Sequence, residues 1–251
     1  MGYSPREMMI IAASREIRDG EVVFVGMRLP LAAFGVAART HAPNAIGLFE
    51  NGLARFAPAV EPFDTMSDPP NIHGAAWATG MVQIMGRLHA GQVDVGFIGG
   101  AEVDRHGNVN TSYVGDPARP RVKLPGSGGA ADIAATCGRL LVIMDHEPKR
   151  LVERVDFVTS PGWLDGGESR SAAGLDRGGV AAIITNLAIL RPMGPDHGMG
   201  LASIHPGVSR QQAIDATGWP LAVAPDAGET PPPTEAELAA LRAIDPEGFW
   251  R

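Results

Sequence analysis

Four short, mainly apolar runs, each separated from the next by helix-forming sequence, constrain this chain more than any other feature. Val22-Val23-Phe24-Val25 stops at Gly26, and Ile46-Gly47-Leu48-Phe49 stops at Glu50-Asn51-Gly52. Val93 to Ile98 is broken by Gly99-Gly100, and Leu140-Leu141-Val142-Ile143-Met144 closes the series. Runs with so little polar alternation read as strands buried on both faces. Between them, Ser4-Pro5-Arg6-Glu7 is a capping box with proline in the first turn, which predicts a helix to about Arg18. Further helices are predicted from Pro30 to about Arg39, from about Gly74 to Leu88, and from about Ala130. Strand alternating with helix up to about residue 145 predicts a largely parallel sheet covered on both faces.

Beyond about residue 150 the pattern changes. Val155-Asp156-Phe157-Val158, Val180 to Ile184, Ala188 to Leu190 and Leu201 to Ile204 read as short strands. The later three have few residues between them, so antiparallel neighbours are expected. Val208 to Thr217 reads as a helix, Thr234-Glu235-Ala236-Glu237 caps a last one, and Pro231-Pro232-Pro233 is a stiff connector before it. No internal repeat is visible. The expectation is an α/β fold with a largely parallel sheet flanked by helices and an antiparallel C-terminal extension, all in one domain spanning residues 1–251. The 32 glycines and 21 prolines sit at the ends of apolar runs, as turns rather than disorder.

Charge and cysteine content narrow the function. A formal net charge of −7 with no Lys/Arg run argues against a nucleic-acid-binding face. The small cluster Arg119, Arg121 and Lys123 is the exception that could meet an anionic cofactor. The single cysteine, Cys137, lies in an apolar helical stretch and reads as packing; it allows no intramolecular disulfide and no metal framework. No two of the seven histidines stand at metal-ligand spacing, so no metal site is expected. There is no run of about 18 apolar residues to cross a membrane, and no charged-then-apolar leader, so a cytoplasmic protein is expected.

Two places invite chemistry. Glu50 ends a predicted buried strand just before Asn51-Gly52, and in open α/β sheets ligands bind at the carboxyl ends of strands. It reads either as a functional carboxylate or as a solvated turn residue. Gly126-Ser127-Gly128-Gly129 leads into a helix of small residues. Its backbone N–H groups suit an anion or an oxyanion, or the segment is a tight loop between packed elements. The spacing is neither the dinucleotide fingerprint nor a P-loop, and Ser127 lacks the flanks of a nucleophile elbow. His146 and Glu147 follow a strand and stand within reach of the same edge, although a structural role fits them as well.

Taken together the segments resemble the second (β) subunit of class I CoA-transferases, and the glutaconate CoA-transferase branch in particular. The anchors are Gly26-Met27-Arg28-Leu29-Pro30, Leu48-Phe49-Glu50-Asn51-Gly52-Leu53, Phe97 to Asp104, Gly107 to Asn110, Gly126 to Ala130, and Val158-Thr159-Ser160-Pro161-Gly162-Trp163. The resemblance implies that Glu50 is the nucleophile. It implies that Gly126, Ser127, Gly128 and Gly129, with Asn51 and Gly52, contact the oxyanion or coenzyme A. It further implies coenzyme A and acyl-CoA as substrates with no tightly bound cofactor, and a separately encoded α-type subunit repeated as a higher oligomer. Asn51 matches the 3-oxoacid branch while the surrounding residues match the glutaconate branch. Some relatives in the glutaconate branch lack this glutamate and act as ring-opening hydrolases or decarboxylases, so Glu50 argues for transfer. Two other readings stay open: an acyl-CoA hydrolase or lyase on the same fold, and a non-catalytic binding subunit.

Overall fold

The computed structural model describes residues 2–59, 61–62 and 64–251. The first helix, α1 (Pro5–Ser14), has both bonds of the expected capping box: the Glu7 amide donates to Ser4 Oγ at 3.1 Å, and the Ser4 amide to Glu7 Oε2 at 2.7 Å. It stops at Ser14, four residues before the expected Arg18, and Arg15 is its C-cap. Next come β1 (Val22–Phe24), α2 (Leu29–Arg39), β2 (Ile46–Phe49) and β3 (Leu53–Arg55). Then follow α3 (Pro69–Ile72), β4 (Trp77–Ala78), α4 (Met81–His89) and β5 (Val95–Ile98). An excursion of short pieces contains β6 (Glu102–Asp104), β7 (Val109–Asn110), β8 (Tyr113–Val114) and β9 (Val122–Lys123). The chain returns through α5 (Ala130–Thr136), β10 (Arg139–Ile143), β11 (Leu151–Val152) and α6 (Ser169–Ala172). It ends with β12 (Val180–Ile184), β13 (Ala188–Met193), β14 (Gly198–Ile204), α7 (Arg210–Asp215), β15 (Val223–Glu229) and α8 (Glu235–Ile244).

Among the described residues, ten strands form the main sheet in the order β15-β14-β13-β12-β10-β5-β1-β2-β3-β4. The middle five, β12 to β2, are all parallel. At one end β13 and β14 run antiparallel, as expected for the C-terminal extension, and β15 then joins β14 in parallel. At the other end β3 and β4 add a second antiparallel flank that the sequence pattern did not reveal.

Successive residues of the central strands serve opposite faces, as the period of two demands. Val23, Val25, Leu141 and Ile143 pack with α1, α2 and α8 in one apolar core. Phe24, Leu48, Leu140 and Val142 pack with Ile84 and Leu88 of α4, Ile133 and Ala134 of α5, and Ala213 of α7 in the other. Each fully buried Leu, Ile or Phe contributes roughly 1.5–3 kcal/mol. Burial on both faces is why the strands read as unbroken apolar runs.

Two expectations need correction. The helix read from Gly74 begins only at Met81, because Trp77 and Ala78 pair with Ala54 and Leu53 as β4. Val155 to Val158 is not a strand; the strand lies earlier, at Leu151–Val152, paired with β6. Phe157 instead packs edge-on against Tyr113, 5.3 Å between ring centres, and Asp156 accepts a bond from the Gly115 amide. Side-chain contacts and a loop carboxylate replaced a ladder there, which an apolar pair around one Asp does not reveal.

Candidate active site

The parallel strands end at one edge of the sheet, and that edge collects the residues singled out in the sequence. Glu50 follows β2 there. Because α5 runs back from this edge into β10, the Gly126–Gly129 loop before α5 stands at the same edge.

The turn after Glu50 is held from three sides. The Gly52 amide donates to Phe49 O at 3.0 Å, and the Thr79 amide donates to Gly52 O at 2.8 Å. Gly52 has φ +106°, and a Cβ on it would lie 2.1 Å from Thr79 O, so only glycine fits between β2 and the start of α4. The Asn51 side chain donates to Met66 O at 2.7 Å and to Ser67 Oγ at 3.2 Å. Asn71 donates to the same Met66 carbonyl at 2.7 Å. The Asn51 side-chain amide therefore anchors the 66–71 segment beside the turn.

Glu50 is half-buried, and among the described residues its carboxylate has no salt bridge or hydrogen bond. It lies against the glycine loop. A Cβ added to Gly129 would be 3.2 Å from the Glu50 Cδ and Oε1 and 3.4 Å from Oε2; one added to Gly128 would be 3.9 Å from Oε1. Gly129 is buried, Gly126 half-buried, and Ser127 and Gly128 exposed. The loop is pinned by the Gly126 amide donating to Thr111 O at 2.8 Å and the Ala130 amide to Ser127 O at 2.9 Å. Gly126 and Gly128 take φ of +102° and +50°. Among the described residues the Gly128 and Gly129 amides have no protein acceptor. A carboxylate without a counter-ion beside unengaged amides can attack an electrophilic carbonyl while donors stand ready for the oxyanion.

The arm beside this loop was not legible in the sequence. β8 and β9 form a hairpin in which Tyr113 pairs with Lys123, and the Leu124 amide donates to Ser112 O at 2.9 Å. That hairpin carries Arg119, Arg121 and Lys123 to the loop's border, with the Lys123 ammonium 4.0 Å over the Tyr113 ring. Two-residue strands are too short to show as periodicity, so only the cluster of cations signalled the arm.

Other candidates turn out to be structural. His146 is buried between the hydroxyls of Thr185 and Thr217, each at 2.9 Å from a ring nitrogen. Burial pushes its pKa down to about 4. Glu147 pairs with Lys149 and Arg150 on the surface. Cys137 is fully buried, and burial pushes its thiol up to about 11. A polar cavity of about 400 Å³ is lined by Asp104, Arg105, His106 and Glu153 among others, and Glu50 does not border it. No helix among the described residues is long and apolar enough to cross a membrane.

Comparison with known proteins assigns the chain to a family. Residues 6–216 match the coenzyme A transferase family. The B-type subunit of the 3-oxoadipate CoA-transferase of Pseudomonas knackmussii is 40% identical over 97% of this chain and 94% of its own length. The B-type subunit of the glutaconate CoA-transferase of Acidaminococcus fermentans is 34% identical over 97% of this chain and 93% of its own length. The crystal structure of that transferase superimposes with a TM-score of 0.91 at 32% identity, covering 99% of this chain and 97% of the matched one. The cholesterol ring-cleaving hydrolase IpdB subunit of Mycobacterium bovis is 28% identical over 97% of this chain and 95% of its own length. This chain belongs to the coenzyme A transferase family, as a B-type subunit.

Proposed function

We propose that this chain is the catalytic subunit of a heteromeric CoA-transferase that moves coenzyme A between an acyl-CoA and a carboxylic acid through a thioester on Glu50. The observation that carries this reading is the closeness of the Glu50 carboxylate to Gly129 at the carboxyl edge of the sheet, where a Cβ added to that glycine would lie 3.2 Å from it. The carboxylate attacks the thioester carbonyl, and the amides of Gly128 and Gly129 hold the oxyanion. Collapse gives an acyl–glutamyl anhydride and CoA thiolate. The thiolate attacks the glutamyl carbonyl, releases the first acid and leaves a glutamyl-CoA thioester. The incoming carboxylate repeats these steps in reverse, so the thioester energy is conserved and the kinetics are ping-pong.

Gly52 and Asn51 hold the turn that aims Glu50, with the Asn51 and Gly126 backbones bordering the thioester. Ser127, exposed on the loop, faces the coenzyme, and Arg119, Arg121 and Lys123 on the adjoining hairpin suit its phosphates. Residues 1–251 act as one domain. The partner is an α-type subunit. Support comes from the subunit naming of the relatives and from exposed apolar side chains near the site, namely Met27 after β1 and Met81 and Val82 at the start of α4. Covering this open edge also excludes water, the competing nucleophile.

Hydrolysis is the second reading, favoured by the similarity to a subunit named as a hydrolase. The deciding experiment incubates the assembled subunits with acyl-CoA alone. Transfer predicts a CoA adduct on the Glu50 peptide by mass spectrometry, inactivation by borohydride, and little free CoA until an acid is added. Continuous CoA release without an acceptor and without an adduct selects hydrolysis.

A further inference from the structure

The glycine loop hangs on a two-residue step of backbone that one distant side chain holds. β7 ends at Asn110 and β8 begins at Tyr113, so Thr111 and Ser112 lie between strands. Their carbonyls carry the loop: the Gly126 amide donates to Thr111 O at 2.8 Å, and the Leu124 amide to Ser112 O at 2.9 Å. The same step is held by Thr159. The Thr111 amide donates to Thr159 Oγ1 at 3.0 Å, and the Ser112 and Thr159 hydroxyl oxygens are 2.8 Å apart. No other acceptor for the Thr111 amide stands among the described residues, so without Thr159 a backbone donor beneath the loop would be left unpaired.

Thr159 is itself fixed to the body of the protein. It is buried, its amide donates to Val109 O at 3.0 Å, and the Val109 amide donates to Ser160 O at 3.0 Å. A few residues on, Trp163 Nε1 donates to Val180 O of β12 at 3.0 Å, which ties the segment to the main sheet. A continuous line of bonds therefore runs from the sheet through Thr159 to the glycine loop. The neighbouring hydroxyls do not share this work: Thr111 Oγ1 and Ser160 Oγ are buried with no partner among the described residues. The Thr159 hydroxyl accepts from a backbone amide and bonds a second hydroxyl at once, and a methyl in its place could do neither.

We propose that Thr159 is a positioning residue for transfer: its hydroxyl holds the Thr111–Ser112 step, and through that step it holds the Gly128 and Gly129 amides against Glu50. This deepens the Glu50 reading and rests on it. A misplacement of about 1 Å in groups set for a transition state can cost on the order of 100-fold in rate. Thr159 acts through the loop, so its loss should appear in kcat rather than in KM.

The test uses the full chain assembled with its α-type partner. Acetyl-CoA, succinyl-CoA and butyryl-CoA are each paired with their own labelled acid, and kcat and KM are taken with the fastest pair. Thr159→Val keeps the shape and removes both bonds, so kcat should fall on the order of 10- to 100-fold with KM within about twofold. Thr159→Ser keeps the hydroxyl and should recover most of that loss. Ser160→Ala removes an unpartnered hydroxyl from the same segment and should leave kcat unchanged. Amide hydrogen exchange of the 124–130 peptide, read by mass spectrometry without substrate, should quicken in Thr159→Val and not in Ser160→Ala. Should Thr159→Val not assemble, Thr159→Ala takes its place with the same expectations. An unchanged kcat and unchanged exchange overturn the proposal. A rise in KM alone also overturns it, by assigning the step to coenzyme binding on the hairpin, and so does a Thr159→Ser that behaves as Thr159→Val. If exchange of the loop follows Thr159 while the wild type forms no Glu50 adduct with any of the three thioesters, the Glu50 mechanism falls and the hold of Thr159 on the loop stands.

Discussion

Glu50 and His146 both follow parallel strands at the same edge of the same sheet, yet their surroundings treat them oppositely. Glu50 is left half-buried and without a partner, lying on a glycine backbone that has no side chain to crowd it. His146 is enclosed with Thr185 bonding one ring nitrogen and Thr217 the other, its amide donates to Asn186 Oδ1 at 2.7 Å, and burial keeps it neutral. The end of a strand therefore offers a position, and the neighbouring segment decides its use. Where glycine and unengaged amides surround the residue, it remains available for chemistry. Where hydroxyls close around it, it becomes part of the core.

The comparison breaks most sharply at Glu50→Gln. Steady transfer should fall at least about a thousandfold, because the amide keeps the shape and loses the nucleophile. Thermal unfolding should move little, as expected for a charge that has no partner. A variant that retains turnover would put Glu50 in the same class as His146.

Acid should expose the opposite behaviour of the enclosed region. His146 and His205 both have pKa values pushed down to about 4 by burial, and His205 Nε2 sits 2.8 Å from the Thr185 carbonyl. The unfolded chain binds these protons near the ordinary pKa of about 6.5, so the folded state carries fewer of them. Their contribution is complete above about pH 6.5 and is lost as pH falls toward 4, on the order of 3 kcal/mol for each group taken separately. Denaturant unfolding between pH 7 and 4 should show this slope, and His205→Asn should flatten it. A slope that is unaffected by that change would remove the contrast.

Gly129→Ala sharpens the other side. Gly129 has φ −79°, so alanine is conformationally acceptable, and the three atoms nearest the added methyl all belong to the Glu50 carboxylate. Turnover should drop by about 10- to 100-fold through displacement of the nucleophile, with the melting temperature nearly unchanged. Smallest is Asn51→Ala, which removes the bonds to Met66 O and Ser67 Oγ. A loss of about 1 kcal/mol is expected, together with a modest rise in KM as the 66–71 segment loosens. If Asn51→Ala abolishes turnover as Glu50→Gln does, the residue contacts the reacting atoms rather than supporting the turn.

Much of this architecture was written in the chain itself. Unbroken apolar runs mark β1, β2, β5, β10 and β12 because strands buried on both faces cannot carry polar alternation. The Ser4 and Thr234 boxes mark α1 and α8 because capping is a bond between near neighbours. The strand-end rule marked Glu50, and the glycine run marked its companion loop. Distance in sequence hid the rest. β4 forms only because β3 supplies its partner, and β8 and β9 are too short to show a period. Trp77 and Ala78 fit a helix as well as a strand until that partner is known. The contact of Glu50 with Gly129 joins residues far apart in the chain, and so do the bonds that immobilise His146. Tertiary structure decided which polar groups were satisfied and which were left free, because satisfaction depends on what packs nearby rather than on what stands adjacent in sequence.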